Sequence, residues 1–468
     1  MHSRTFIRPV FLHLVQKGGR HVQAAIQLSD HFTIPAFTVL LPCIGTMLFT
    51  SIYGIVDGLC VSNFVGKTAF AAVNLIMPLP MLLGTIGFML GTGGSAIVGI
   101  TLGEGDQKKA DRYFTLFLLA ALISVSVLAV LGIVFLRPIA VLLGAKGELL
   151  DYAVRYGRIL MVSLPTFALQ NMFQSFFVTA EKPHLGFWFT VGAGCTNMVL
   201  DVLMVGIWGW GVEGAAIATF ISQLVGGVLP VFYFIDRSNS SRLHLCKTSF
   251  YSKVLRDACI NGSSELMTNL SMSLVNILYN YQLLRLAGEN GVAAYGVIMY
   301  AAFLFVAVFV GYAVGSAPIV SFHYGARNHA EVHNLYRKSL RLIAVVAVTL
   351  TLASMFIIPC VARIFVGYDA ELLALTSRAF RLYALSFLIM GFNVYASSFF
   401  TALGDGVTSA LISFLRTLAF QVIAILLLPL LLGIDGIWLA VTAAELAALA
   451  VSAAMLLTKD KVFHYRKA

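Results

Sequence analysis

Four side chains in the first half of this 468-residue chain have the chemistry to hold a cation together: Asp57, Asn197, Asp201 and Thr219. Asn197 and Asp201 stand four residues apart in "NMVLD", so on a helix they share one face. Asp57 interrupts the apolar run "SIYGIVDGLCVSNFVG", and Thr219 lies in "GVEGAAIATF". Two carboxylates, an amide and a hydroxyl offer hard oxygen donors, which suit Na⁺. A carboxylate pair in a low dielectric also holds a proton, because desolvation and the like-charged neighbour both oppose the second negative charge. The plainer alternative is a hydrogen-bonded network that serves only packing.

The second half offers fewer such groups. Glu265, in "NGSSELMTNL", and Glu445 interrupt apolar runs, as does Arg416 in "SFLRTLAF". Either glutamate is suited to meet a cationic substrate or a proton, or to close a helix–helix contact with Arg416 as partner. With Tyr53, Asn171, Gln174 and Tyr279 they are the candidates to line a substrate cleft. No catalytic set accompanies them. "GEGD" lacks the Gly-Lys-Ser/Thr ending of a phosphate loop. The six cysteines show neither CxxC pairing nor metal-ligand spacing, so no disulfide framework, metal cluster or enzyme activity is expected.

The elements that carry these residues are hydrophobic throughout. The chain is 59% hydrophobic and 11% charged, with mean hydropathy +0.90. A water-soluble surface needs roughly 25% charged residues, so the surplus must face lipid. Apolar runs recur near 33–64, 69–100, 114–143, 150–180, 184–207, 211–235, 254–286, 292–322, 339–366, 371–402, 406–432 and 436–458. These predict an all-α integral membrane fold of twelve spans with both termini on one side. Placing the termini in the cytoplasm assigns 21 of the 31 Lys and Arg residues to inner segments, as the positive-inside rule requires. The net charge of +10 therefore calls for no nucleic-acid partner. Counted at about 1.5 Å per residue, Asp57, Asp201 and Thr219 all fall roughly 9–12 Å below the outer membrane boundary.

The longest polar interruption, "DRSNSSRLHLCKTSFYSKVLRD", falls at mid-chain, and the two sides of it repeat. At an offset of 222 residues, Ala71, Ala72, Ile76 and Met77 meet Ala293, Ala294, Ile298 and Met299, and Gly93 and Gly103 meet Gly315 and Gly325. "SFFVTAEKP" faces "SFFTALGDG" with a one-residue adjustment. The expected organisation is a cytoplasmic tail (1–31), an N-lobe (32–235), a cytoplasmic linker (236–253), a C-lobe (254–458) and a second tail (459–468). Six spans per half give a parallel repeat, an arrangement that suits alternating access. Tyr279, Ile423 or Ala424, and Val441 occupy the positions matching Asp57, Asp201 and Thr219. That one-sidedness favours an ion site over a packing network.

In "IYGIVDGLCVSNFVGKTAFAAVNL", "GTGGSAIVGITLGEGD", "NMVLD", "GVEGAAIATFISQ" and "SFFTALGDG" the chain resembles the multidrug and toxic compound extrusion transporters over about residues 32–458. The resemblance implies two pseudo-symmetric six-helix bundles forming a V-shaped cleft, and antiport of drugs against H⁺ or Na⁺. It further implies that Asp57, Asn197, Asp201 and Thr219 form the N-lobe cation site. The family's other branch uses an acidic residue on the seventh helix, where Glu265 lies, but the surroundings of Glu265 depart from that pattern. The expected protein is a monomeric, multi-pass exporter of small molecules in the bacterial inner membrane, with both termini cytoplasmic and no cofactor beyond its coupling ion. The rivals are a lipid-linked or polar-substrate flippase of the same superfamily and a membrane scaffold or receptor without transport.

Overall fold

A computed structural model describes the backbone of residues 33–64, 67–367 and 369–465. The expected N-terminal tail, the last three residues and the side chains of 33–37, 55, 57–64, 67, 68, 70, 289, 364 and 365 lie outside the described residues. Asp57 is thus placed on its helix by backbone alone.

The described chain is helical. α1 (Thr33–Phe64) is followed by α2 (Lys67–Ile76), α3 (Pro78–Gly103), α4 (Gln107–Leu142), α5 (Gly147–Thr179), α6 (Pro183–Ile207) and α7 (Gly211–Ile235). The second half runs α8 (Ser252–Asn261), α9 (Ser263–Gly325), α10 (His329–Val366), α11 (Ala370–Ala384), α12 (Phe387–Ala402), α13 (Gly406–Leu432), α14 (Ile434–Thr458) and α15 (Asp460–Phe463). α9 covers two expected spans and breaks between them at Gly288, whose φ of 60° and ψ of −151° no helix accommodates.

Eight of the described helices are long and apolar enough to cross a bilayer, and α11 with α12 makes a ninth across a 46° bend. The first part of α9 and all of α5 are helical where spans are expected but carry more polar residues. α5 begins with Glu148, Asp151, Arg155 and Arg158 in its first turns. The lipid-facing surface is legible on α4. Ile123, Val127, Val130 and Val134 recur at helical spacing and are 55–64% exposed, an apolar stripe that water would not tolerate.

The chain forms two compact units, Met1–Cys259 with Val314–Ala326, and Ile260–Ala313 with Arg327–Ala468. The first is packed around Phe114, Phe117, Phe173, Phe176, Phe177 and Phe234. The second is packed around Tyr279, Tyr295, Phe309, Phe380, Phe387 and Trp438. The repeat is visible in the turns. After α5, Ala180 N–H donates to Phe176 O, Glu181 N–H to Val178 O and Lys182 N–H to Phe177 O. After α12, Leu403, Gly404 and Asp405 make the same three bonds to Phe399, Thr401 and Phe400.

Candidate ion site and the charged groups of the second unit

The neighbours of α6 set the level of each candidate ligand. A side-chain carbon on Gly45 would stand 3.0 Å from the Phe187 ring, and one on Gly194 would stand 2.5 Å from Phe49 and 3.1 Å from Tyr53. α1 and α6 therefore advance side by side in the same direction. One further turn along α1 brings residue 57 level with 197–201. α7 returns the other way. Gly214 lies against Met204, and Gly192 lies 3.8 Å from Val225 by the same measure. That register puts Thr219 level with the stretch between Asn197 and Asp201. Three helices thus bring the four predicted positions to one depth.

Their burial differs. Asp201 is fully buried and Asn197 is 2% exposed, whereas Thr219 is half-buried, its carbonyl accepting from Ser222 Oγ at 2.8 Å. Neither Asn197 Oδ1 nor Nδ2 has a hydrogen-bond partner among the described residues. A buried amide left so costs about 1–3 kcal/mol until a water or an ion meets it. Immediately after Asp201 the helix widens to i→i+5 bonding over Val202–Ile207. Such bulges often occur at functional sites. The donor set fits a hard cation or a proton. Among the described residues no three His, Cys, Asp or Glu side chains gather as for another metal.

The candidate cleft residues are distributed between the units. In the first, Tyr53 and Gln174 are half-buried, and Asn171 is 5% exposed with an Nδ2 that donates to no described group. In the second, Tyr279 is 2% exposed, stacks on Tyr295 at 4.9 Å and donates to the Ile437 carbonyl at 3.3 Å. The position matching Asp57 in the repeat is therefore filled by a packed ring.

Glu445 is 1% exposed and closed into a network. Its Oε2 accepts from Asn393 Nδ2 at 2.7 Å and its Oε1 from Arg416 Nη1 at 3.4 Å, while Ser452 Oγ donates to Asn393 Oδ1 at 2.9 Å. Arg416 lies in a widened turn, Leu415–Ala419, and also acts electrostatically on the half-buried Glu265. Asn393 and Ser452 were not among the expected site residues. Their polarity inside apolar helices was the available signal, and short polar residues are too common in membrane helices for it to stand out.

The fold and these sites define a multi-pass helical membrane protein with an internal repeat and with Asn197 and Asp201 buried on one helix of its first half. The chain belongs to the MatE family, whose profile matches residues 42–203 and 266–427, one block in each half. A multidrug export protein MepA of Staphylococcus saprophyticus is 22% identical over 438 residues, covering 92% of this chain and 94% of that one. Among solved structures, a MATE protein in complex with MaL6 superposes with a TM-score of 0.88 at 23% identity, over 95% of this chain and 99% of that one. An outward-facing multidrug resistance MATE family transporter of the MOP superfamily gives the same TM-score, identity and coverage.

Proposed function

We propose that the chain is a secondary active exporter. It moves amphipathic, often cationic organic compounds out of the cell by alternating access, in exchange for H⁺ or Na⁺. Asp57, Asn197, Asp201 and Thr219 take the coupling ion, which loads from outside and drives release of the drug. Tyr53, Asn171, Gln174 and Glu265 belong to the substrate side, whereas Glu445 and Tyr279, expected there too, are taken up by the packing of the second unit. The protein works as a monomer in the bacterial inner membrane, with both tails in the cytoplasm. Its similarity to multidrug export proteins supports the substrate class. The observation that carries the ion site is Asn197: a buried amide with no partner among the described residues, one helical turn from a buried carboxylate.

The flippase reading finds less support. Lipid phosphates are held by Arg and Lys, and Arg416 within the second unit is engaged by Glu445.

Dye efflux from proteoliposomes under separate H⁺ and Na⁺ gradients tests the proposal. Wild type should respond to one gradient, and Asp57→Asn and Asp201→Asn should each lose that response. Full gradient-driven efflux by both variants would sink the ion site. No dye movement by wild type under any gradient would sink multidrug export.

A further inference from the structure

The segment between the halves is no slack tether. Residues 236–251 cross the end of the first unit where α4 begins and α5 finishes. Gln107 Nε2 donates to the Arg242 carbonyl. Asp111 Oδ1 accepts from the His244 N–H at 3.0 Å, and Thr115 Oγ1 accepts from the Cys246 N–H at 3.1 Å. Thr248 Oγ1 donates to the Arg112 carbonyl at 2.8 Å. Leu243 is fully buried in the aromatic core. The segment is a strap stitched to α4.

From this strap Arg242 reaches inward. Its Nε donates to Glu181 Oε1 at 2.9 Å, and its guanidinium lies over the Phe322 ring at 5.3 Å from the centroid. Beside it, Lys182 Nζ donates to Ser240 Oγ at 2.9 Å. Glu181 and Arg242 border a small recess with Val39, Val178, Ile319 and Phe322. The Glu181 side chain is 10% exposed and that of Arg242 26%. Desolvation pushes the Glu181 carboxyl above the usual range, more than the Arg242 and Lys182 charges pull it down.

The backbone sharpens the point. Glu181 has φ +59°, a region that L side chains disfavour, while its counterpart in the repeated turn is Gly404 at φ +83°. The turn itself needs only a residue that tolerates this φ. The first half instead holds a carboxylate there, and that carboxylate receives Arg242.

Phe322 belongs to Val314–Ala326, the part of α9 that packs in the first unit while the rest of the helix builds the second. We propose that Arg242, held by Glu181 and seated on Phe322, is a positioning residue for transport. It latches the 314–326 end of α9 against the first unit, and the latch releases when that end of the transporter opens. The role in transport rests on the alternating-access reading above; the latch itself does not.

Hydrogen–deuterium exchange on the full-length protein in proteoliposomes tests it, with the 314–326 peptide compared with peptides from mid-α4. Arg242→Gln, Glu181→Gln and Phe322→Ala should each speed exchange of 314–326 relative to α4 by about tenfold, the scale of one charge-assisted bond. The Arg242→Gln/Glu181→Gln double variant should add little beyond either single change. Arg242→Lys, which keeps the charge, should restore most of the protection. Arg237→Gln removes the same charge from an exposed position of the same strap and should stay within about twofold of wild type. Unchanged exchange in Arg242→Gln, equal acceleration in Arg237→Gln, or a rise shared equally by α4 would each overturn the latch. Dye efflux on the same liposomes separates the claims. A wild type that shows the exchange pattern but moves no dye defeats the proposed function and leaves the latch standing.

Discussion

Asn393 donates twice to Glu445, to the carboxylate at 2.7 Å and to the backbone carbonyl at 2.9 Å, and so fixes the glutamate that neutralises Arg416. The Arg416 side chain is 12% exposed, which leaves its charge little access to water. Glu445→Leu should therefore destabilise the protein by about 3 kcal/mol, because it strands a buried cation. Glu445→Leu combined with Arg416→Met should recover most of that loss. Unfolding midpoints in detergent check both. A single variant as stable as wild type would show that the guanidinium finds another counter-charge, with Glu265, on which it already acts, the candidate.

Asn197 offers the reverse case. Its amide has no partner among the described residues, so Asn197→Ala breaks no hydrogen bond among them. The variant should lose less than about 1 kcal/mol of stability. Its half-maximal ion concentration for dye efflux should rise about tenfold, the factor that about 1.4 kcal/mol carries. A large loss of stability with unchanged ion dependence would mark Asn197 as a packing residue.

α3 and α9 touch through glycine. A side-chain carbon on Gly103 would lie 2.1 Å from the Phe322 carbonyl, and one on Gly325 would lie 2.1 Å from the Ile100 carbonyl. Backbone atoms cannot move aside as a flexible side chain can. Gly103→Ala and Gly325→Ala should each cost about 1–3 kcal/mol. Gly54→Ala is the control, since a carbon there meets nothing within 4 Å among the described residues. The unfolding midpoint should fall for the first two variants and hold for the third.

The end of the chain carries a pH-dependent clamp. Lys459 Nζ donates to Asp405 Oδ2 at 2.8 Å, and the Tyr465 hydroxyl donates to the Leu456 carbonyl at 2.7 Å. Burial raises the Asp405 carboxyl, but Lys459 and the two bonds from Thr408 outweigh it and hold the group below the usual carboxylate range. A lowered carboxyl stabilises the fold at pH above its unfolded value of about 4, and this is lost as pH falls further. Limited proteolysis of the tail should accelerate in acid below that point. Asp405→Asn should show the faster cleavage already at neutral pH and little further change in acid. The stability involved is less than about 1 kcal/mol, because Lys459 is about a third exposed.

Much of the architecture was legible in the residues themselves. Long apolar runs fixed the helices, since each helix is decided by neighbours three and four places away. The break at Gly288 was legible as the boundary between two spans. The i, i+4 spacing of Asn197 and Asp201 placed both on one face before any packing was known. The repeat was readable because glycine-bearing turns recur at a nearly constant offset.

Which polar groups meet was not written in local spacing. Arg416 had two glutamates to choose from, and Glu445 won because α13 and α14 pack where Asn393 of α12 orients its carboxylate. Tyr279, a candidate for the cleft, turned inward to stack on Tyr295. Val314–Ala326 lies by sequence in the second half, yet it packs with the first. The sequence by itself determined a membrane bundle built twice, with Asp57, Asn197, Asp201 and Thr219 in one half and apolar or aromatic residues at the matching positions of the other. Only the tertiary structure decided the ion pairs, the strap and the pairing of Glu445 with Asn393 and Arg416. Helices and repeats follow from short-range periodicity, whereas those contacts join residues tens of positions apart and exist only once helices have packed.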